Sequence, residues 1–213
     1  MTEPELGWID PQVAEEFPKL RLWHLTVAAR DQPSPPELRE RLRLLSDRFH
    51  GARAIAMRRE PVPHAYRVFF RHIGIDPDDE RTPIEAAALA RLKHGGFRSI
   101  GLLADALLLA VVETGVPVWA LDDERVSGGL GIRPAGPAER LGRDELGPDV
   151  RPGRLVVADD GVPLAELFGE VAPGHGVTQV TTTMRLFSVQ APGVPGIHVE
   201  EALWTCTEAL DTT

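Results

Sequence analysis

Cysteine is nearly absent from this chain of 213 residues; Cys206 is the single copy. An internal disulfide and a cysteine-rich zinc site are thereby excluded, and the usage fits a reducing compartment. Lysine is almost as scarce, with two copies against 21 arginines, so positive charge is nearly all guanidinium. No apolar run approaches the roughly 20 residues that a bilayer-spanning helix needs. The longest stretch, 102–112, is interrupted by Asp105. The opening MTEPELGWIDPQ has acids and prolines where a secretory leader needs basic and then apolar residues. A cytoplasmic protein with no membrane partner is expected.

Several kinds of chemistry are also missing. The seven histidines form no HExxH pair and have no cysteine partners, so no metal and no cofactor is expected. No G-x-S-x-G elbow occurs, and Ser127 in RVSGGLG reads as a turn residue. The glycine-rich SGGLGIRPAG lacks the Lys-Ser/Thr of a phosphate loop and precedes no helix.

What is present suffices for a large core, because a chain of this length buries one without staples. The net charge of −9 is unevenly distributed. Stretch 39–98 holds 13 Lys+Arg against 8 Asp+Glu, and the remainder holds 10 against 24. A basic stretch in an acidic protein is either a surface for anions or a set of solvated helix faces.

The hydrophobic pattern predicts helices early and strands later. Segment 17–29 reads as a strand entering the core. Ser34 is a cap candidate for a helix carrying Leu38, Leu42, Leu45 and Phe49 at helical spacing. A short helix follows with Tyr66, Phe69 and Phe70 inward. The next has Thr82 as cap, Pro83 at its first position, Glu85 in its first turn and Gly95-Gly96 at its end. Residues 102–113 are almost all apolar and read as a helix buried on most sides. After Gly115 come short strand-like runs, VPVWALDD, GLGIRP, RLVVADDGVPLAEL and VTTTMRLFSVQA, with Asp-Gly as a hairpin signal. A last helix spans about 199–211, packing Ala202, Leu203, Cys206 and Leu210 on one side. This order predicts an α+β fold of mixed and antiparallel sheets with flanking helices. One domain over 1–213 is expected, with a helical part to about 115, a strand-rich part over 116–198 and the final helix.

Loop 168–183, FGEVAPGHGVTQVTTT, brings Glu170 and His175 among three glycines. A carboxylate and an imidazole on a flexible loop can activate water or orient an ester, and glycines let backbone amides approach a ligand. The competing reading is a long polar turn with both side chains in water.

The order of RLKHGGFRSIGLLADALLLAVVETGVPVWALDDERVSGGLGIRP, LVVADDGVPLAELFGE and GVTQVTTTMRLFSV resembles the editing domain of the phenylalanyl-tRNA synthetase beta subunit, the module of its third and fourth segments. AYRVFFRHIGIDP and RTPIEAAALARLKHGG extend the likeness to free-standing relatives of that module. The resemblance implies an α+β fold enclosing a pocket that receives the aminoacylated 3′ end of a tRNA and hydrolyses a mischarged ester. It would place a histidine where this chain has Trp119, and a Thr-Asn pair where it has Leu107 and Leu108. Glu170 falls about one place early against the family's Gly-Gly-Glu loop. The expected pocket is therefore lined by Leu107, Leu108, Trp119, Ala120 and Gly169, suits an apolar or aromatic ligand, and has Glu170 and His175 as the catalytic candidates. Arg67, Arg71, Arg91, Lys93 and Arg98 are the candidate RNA phosphate contacts. Two readings stay open: an aminoacyl-tRNA deacylase, or a binding module that has lost the chemistry and takes a small aromatic ligand, an RNA or a protein.

Overall fold

The computed structural model describes residues 3–144 and 147–211. Among these, seven α-helices and eight strands form an α+β fold with two four-stranded sheets. The chain divides into two compact units, each assembled from two separate stretches: residues 1–30 with 119–192, and 31–118 with 193–213.

The first unit holds both sheets. One sheet runs in the order β1 (Glu5–Leu6), β3 (Arg21–Ala28), β8 (Thr183–Gln190), β4 (Trp119–Asp122), antiparallel throughout. Its centre is the β3–β8 pair, in register from Arg21 opposite Gln190 to Ala28 opposite Thr183. The other sheet runs β2 (Trp8–Ile9), β5 (Gly131–Pro134), β6 (Leu155–Ala158), β7 (Pro163–Glu166); β2 joins β5 in parallel and the rest are antiparallel. Helix α1 (Pro11–Glu16) is capped by the Asp10 carboxylate, which accepts from the N–H groups of Gln12 and Val13. Strands β1 and β2, ahead of all the larger helices, were not expected, because two residues carry no readable alternation.

Hairpin β6–β7 forms where Asp-Gly predicted it, but by a different device. Gly161 is not among the glycines with positive φ. Instead the Asp159 carboxylate accepts from the N–H groups of Gly161 and Val162, so a side chain bends the turn. Gly131 is needed for space: a Cβ there would lie 2.0 Å from Cδ2 of the Trp8 indole, on the neighbouring strand.

The second unit is helical. It contains α2 (Pro36–Arg48), α3 (Gly51–Ala56), α4 (Pro61–His72), α5 (Pro83–His94), α6 (Leu102–Thr114) and α7 (Gly196–Leu210). Tyr66, Phe69 and Phe70 are buried, as are Ala202, Leu203, Cys206 and Leu210. Burial pushes the Cys206 thiol up to about 12. The α5 start follows its sequence: Glu85 in the first turn accepts from the Thr82 N–H at 3.3 Å and the Thr82 hydroxyl at 2.8 Å, and Gly95 closes the helix at φ 73. Ser34 is not a cap; its hydroxyl donates at 2.6 Å to the fully buried Asp105 carboxylate, which also accepts from the Ile100 N–H at 3.1 Å. No helix among the described residues is long and apolar enough to cross a membrane.

Candidate functional site

Trp119 opens β4 opposite Phe187 of β8, and the two rings stack 5.6 Å apart with planes 12° from parallel. Phe168 closes from another side at 6.1 Å. Phe187 is buried, whereas Trp119 and Phe168 are half-exposed. The indole therefore rests on an aromatic base and keeps part of its surface in solvent. Phe168 takes φ 68, a left-handed conformation that costs a residue with a Cβ about 1–2 kcal/mol. Gly169, beside it, is not among the positive-φ glycines; its N–H donates to Glu166 O at 2.8 Å. The strained position of this turn thus carries the aromatic ring rather than the glycine, and the ring contact with Trp119 helps offset the strain.

The segment after this turn is anchored rather than free. The Asp122 N–H donates to His175 O at 2.9 Å, and the Asp122 carboxylate accepts from the Thr181 hydroxyl at 2.8 Å. The end of β4 thereby ties down two points of loop 168–183. Its two candidate catalytic groups differ: Glu170 is exposed, and His175 is buried at 4% exposure. The expectation of both in water fails for His175.

His175 is held on both ring nitrogens. Nε2 lies 2.8 Å from an Arg143 guanidinium nitrogen, and Nδ1 lies 3.2 Å from Pro173 O. A guanidinium only donates and a carbonyl only accepts, so Nε2 accepts and Nδ1 carries the proton. Arg143 also pairs with Asp159 and donates to Arg125 O at 2.9 Å. The Asp159 side chain is fully buried. Burial acts to raise its pKa, but the N–H groups of Val162 and Ser127, the Arg143 guanidinium and the Gly161 N–H together hold it below its ordinary value. Ser127, Arg143, His175, Gly174 and Arg125 line a cleft of about 350 Å³. Sequence reading missed Arg143 and Asp159. The DDG turn was a signal for the aspartate, whereas nothing in LGRDELG marks Arg143.

The remaining candidates fall into both units. Ala120 is buried on β4. Leu107 and Leu108 are half-buried on α6, and Leu108 packs against the helical cluster that includes Phe49, Ile84 and Val112. Arg67 is buried and committed to Glu85 at 2.6 Å and Asp78 at 2.7 Å. Arg91 donates to Ser46 O at 2.9 Å. Arg71, 3.5 Å from Asp78, is exposed, as are Lys93 and Arg98. Among the described residues no three His, Cys, Asp or Glu side chains gather as a metal ion would need.

No family model matches the chain. Curated relatives do: it is 36% identical over 99 residues to the phenylalanine–tRNA ligase beta subunit of Chromobacterium violaceum, covering 45% of this chain and 12% of the relative. With the beta subunit of Streptomyces avermitilis it shares 34% over 113 residues, 52% of this chain and 13% of the relative. With that of Nitrosospira multiformis it shares 37% over 114 residues, 50% and 14%. The chain thus matches only a small part of each relative's length. Over about half of its own length, it is related to phenylalanine–tRNA ligase beta subunits.

Proposed function

We propose that this chain recognises the aminoacylated 3′ end of a tRNA and hydrolyses a wrongly attached aminoacyl ester. The observation that carries this reading is the similarity of about half the chain to phenylalanine–tRNA ligase beta subunits. In the reaction, water adds to the ester carbonyl, the bond to the ribose oxygen breaks, and a proton passes to that oxygen. The half-exposed Trp119 and Phe168 rings offer a stacking surface for an aromatic side chain or the terminal base. In this reading Glu170, exposed two residues after Phe168, orients the water. Arg71, Lys93 and Arg98 serve as phosphate contacts, since each is exposed whereas Arg67 is spent inside the fold.

One observation favours a second reading, recognition without hydrolysis. Nε2 of His175 is engaged by Arg143, which leaves the imidazole no free acceptor for a water proton. His175 then acts through the loop it holds. Deacylation of a panel of misacylated tRNAs decides between the two. A rate above buffer that falls about 100-fold or more in Glu170→Ala supports hydrolysis. Binding of tRNA with no deacylation supports the second reading, and neither binding nor deacylation removes both.

A further inference from the structure

A groove of about 450 Å³ opens within the helical unit, lined by none of the residues considered so far as a site. Its floor is apolar, with Phe49, Val62, Ile84 and Val112 all buried. Its polar groups are biased to one sign. Glu60, Glu113 and Glu201 line it against a single guanidinium, Arg53, whose carbon lies 6.0 Å from the centre of the Phe49 ring.

The backbone adds to this bias. Helix α6 ends in the groove at Thr114, with Gly115 as its left-handed cap. The last carbonyls of a helix carry partial negative charge, which basic side chains normally balance. The last turn of α6 has no basic residue and carries Glu113 instead. The start of α4, which also lines the groove, has proline at 61 and 63, so two of the N–H groups that an anion would use at a helix start are missing. These two helix ends meet closely: a Cβ on Gly115 would lie 3.2 Å from Val62 Cγ1 and 3.3 Å from Pro63 Cδ.

We propose that this groove binds a small organic cation, a primary ammonium on an aromatic or aliphatic body. The body displaces water from the apolar floor, and the ammonium is collected by the carboxylates and the α6 carbonyls. Glu113 is paired with Arg41 at 2.7 Å, and Glu201 lies 3.5 Å from His198 Nδ1. Arg41 is exposed but holds both Glu113 oxygens, at 3.1 and 2.7 Å, so a ligand cation reaches Glu113 by competing with it, whereas the solvent-accessible pair of His198 with Glu201 is weak and exchanges readily. Acids alone would attract any hydrated metal cation; the floor beneath them selects a ligand with an apolar body.

Calorimetric titration of the full chain at low salt tests this with three probes that share one body: 2-phenylethylamine, 2-phenylethanol and phenylacetate. The amine binds about tenfold or more tightly than the alcohol, and phenylacetate binds most weakly. Glu60→Gln and Glu113→Gln each weaken the amine several-fold and leave the alcohol unchanged, with melting temperatures confirming that both variants fold. Equal affinity for amine and alcohol, a preference for phenylacetate, or no binding of any probe up to about 10 mM overturns the proposal. Amine affinity unchanged in both variants overturns it as well. None of these readouts depends on tRNA or on deacylation.

Discussion

Asp159 keeps its charge where burial by itself would favour the protonated form. Three backbone N–H groups and Arg143 supply the compensation. Because its pKa in the folded protein is depressed below the ordinary 3.8, its stabilising contribution is fully present above that unfolded value and is lost as pH falls through the lower folded value. Asp159→Asn keeps the shape and removes the charge. Urea midpoints should show it less stable than the parent by about 3 kcal/mol at pH 7, with the gap narrowing below about pH 4. A gap that stays constant down to pH 2.5 would show that the charge has no such role. His175 depends on the same aspartate through Arg143, so one buried carboxylate serves both the hairpin and the loop with the candidate site.

At the scale of elements, two short signals were legible and each has a measurable worth. Thr82 before Pro83, with Glu85 three residues on, announced the start of α5, and the carboxylate does reach back to Thr82. Thr82→Ala should cost about 1 kcal/mol, read as a lowered melting temperature. Gly131 was read only within the strand-like run GLGIRP, with no role in packing, because no local pattern reveals an indole arriving from residue 8. Gly131→Ala forces that indole aside and should cost about 1–3 kcal/mol, with Trp8 fluorescence shifting as its packing changes. An unchanged spectrum and stability would mean that Trp8 moves freely. Helix α6 was readable from composition, since all but one of its residues are buried or half-buried. The cap assigned to Ser34 was not, because a serine before a helix looks the same whether it caps locally or bonds Asp105, 71 positions away.

At the scale of the whole molecule, charge decides how RNA binding should behave. The chain is acidic overall at −9, so binding must rest on local contacts. Arg71, Lys93 and Arg98 are exposed, and three phosphate contacts predict a slope of log affinity on log salt of about −2 to −3. Filter binding at several salt concentrations checks this, and Lys93→Ala should reduce the slope by about one contact. A slope near zero would place the RNA contacts elsewhere or nowhere. The count of basic residues in 39–98 does not measure the available contacts, because Arg67 is buried and paired with Glu85 and Asp78 of the same stretch. Counting charges along a chain does not distinguish an exposed guanidinium from a buried one.

The α+β class, the principal helices and most of the strands are determined by the sequence itself, because hydrophobic period, caps and turn residues act between positions a few residues apart. The tertiary structure alone decided which residues from distant stretches share a contact. It set Trp119 on Phe187 and Phe168, drew Arg143 between Asp159 and His175, and brought the end of α6 to the start of α4. Each of these follows from burying apolar faces and then pairing the polar groups that the burial strands, and that pairing links positions with no local signal between them.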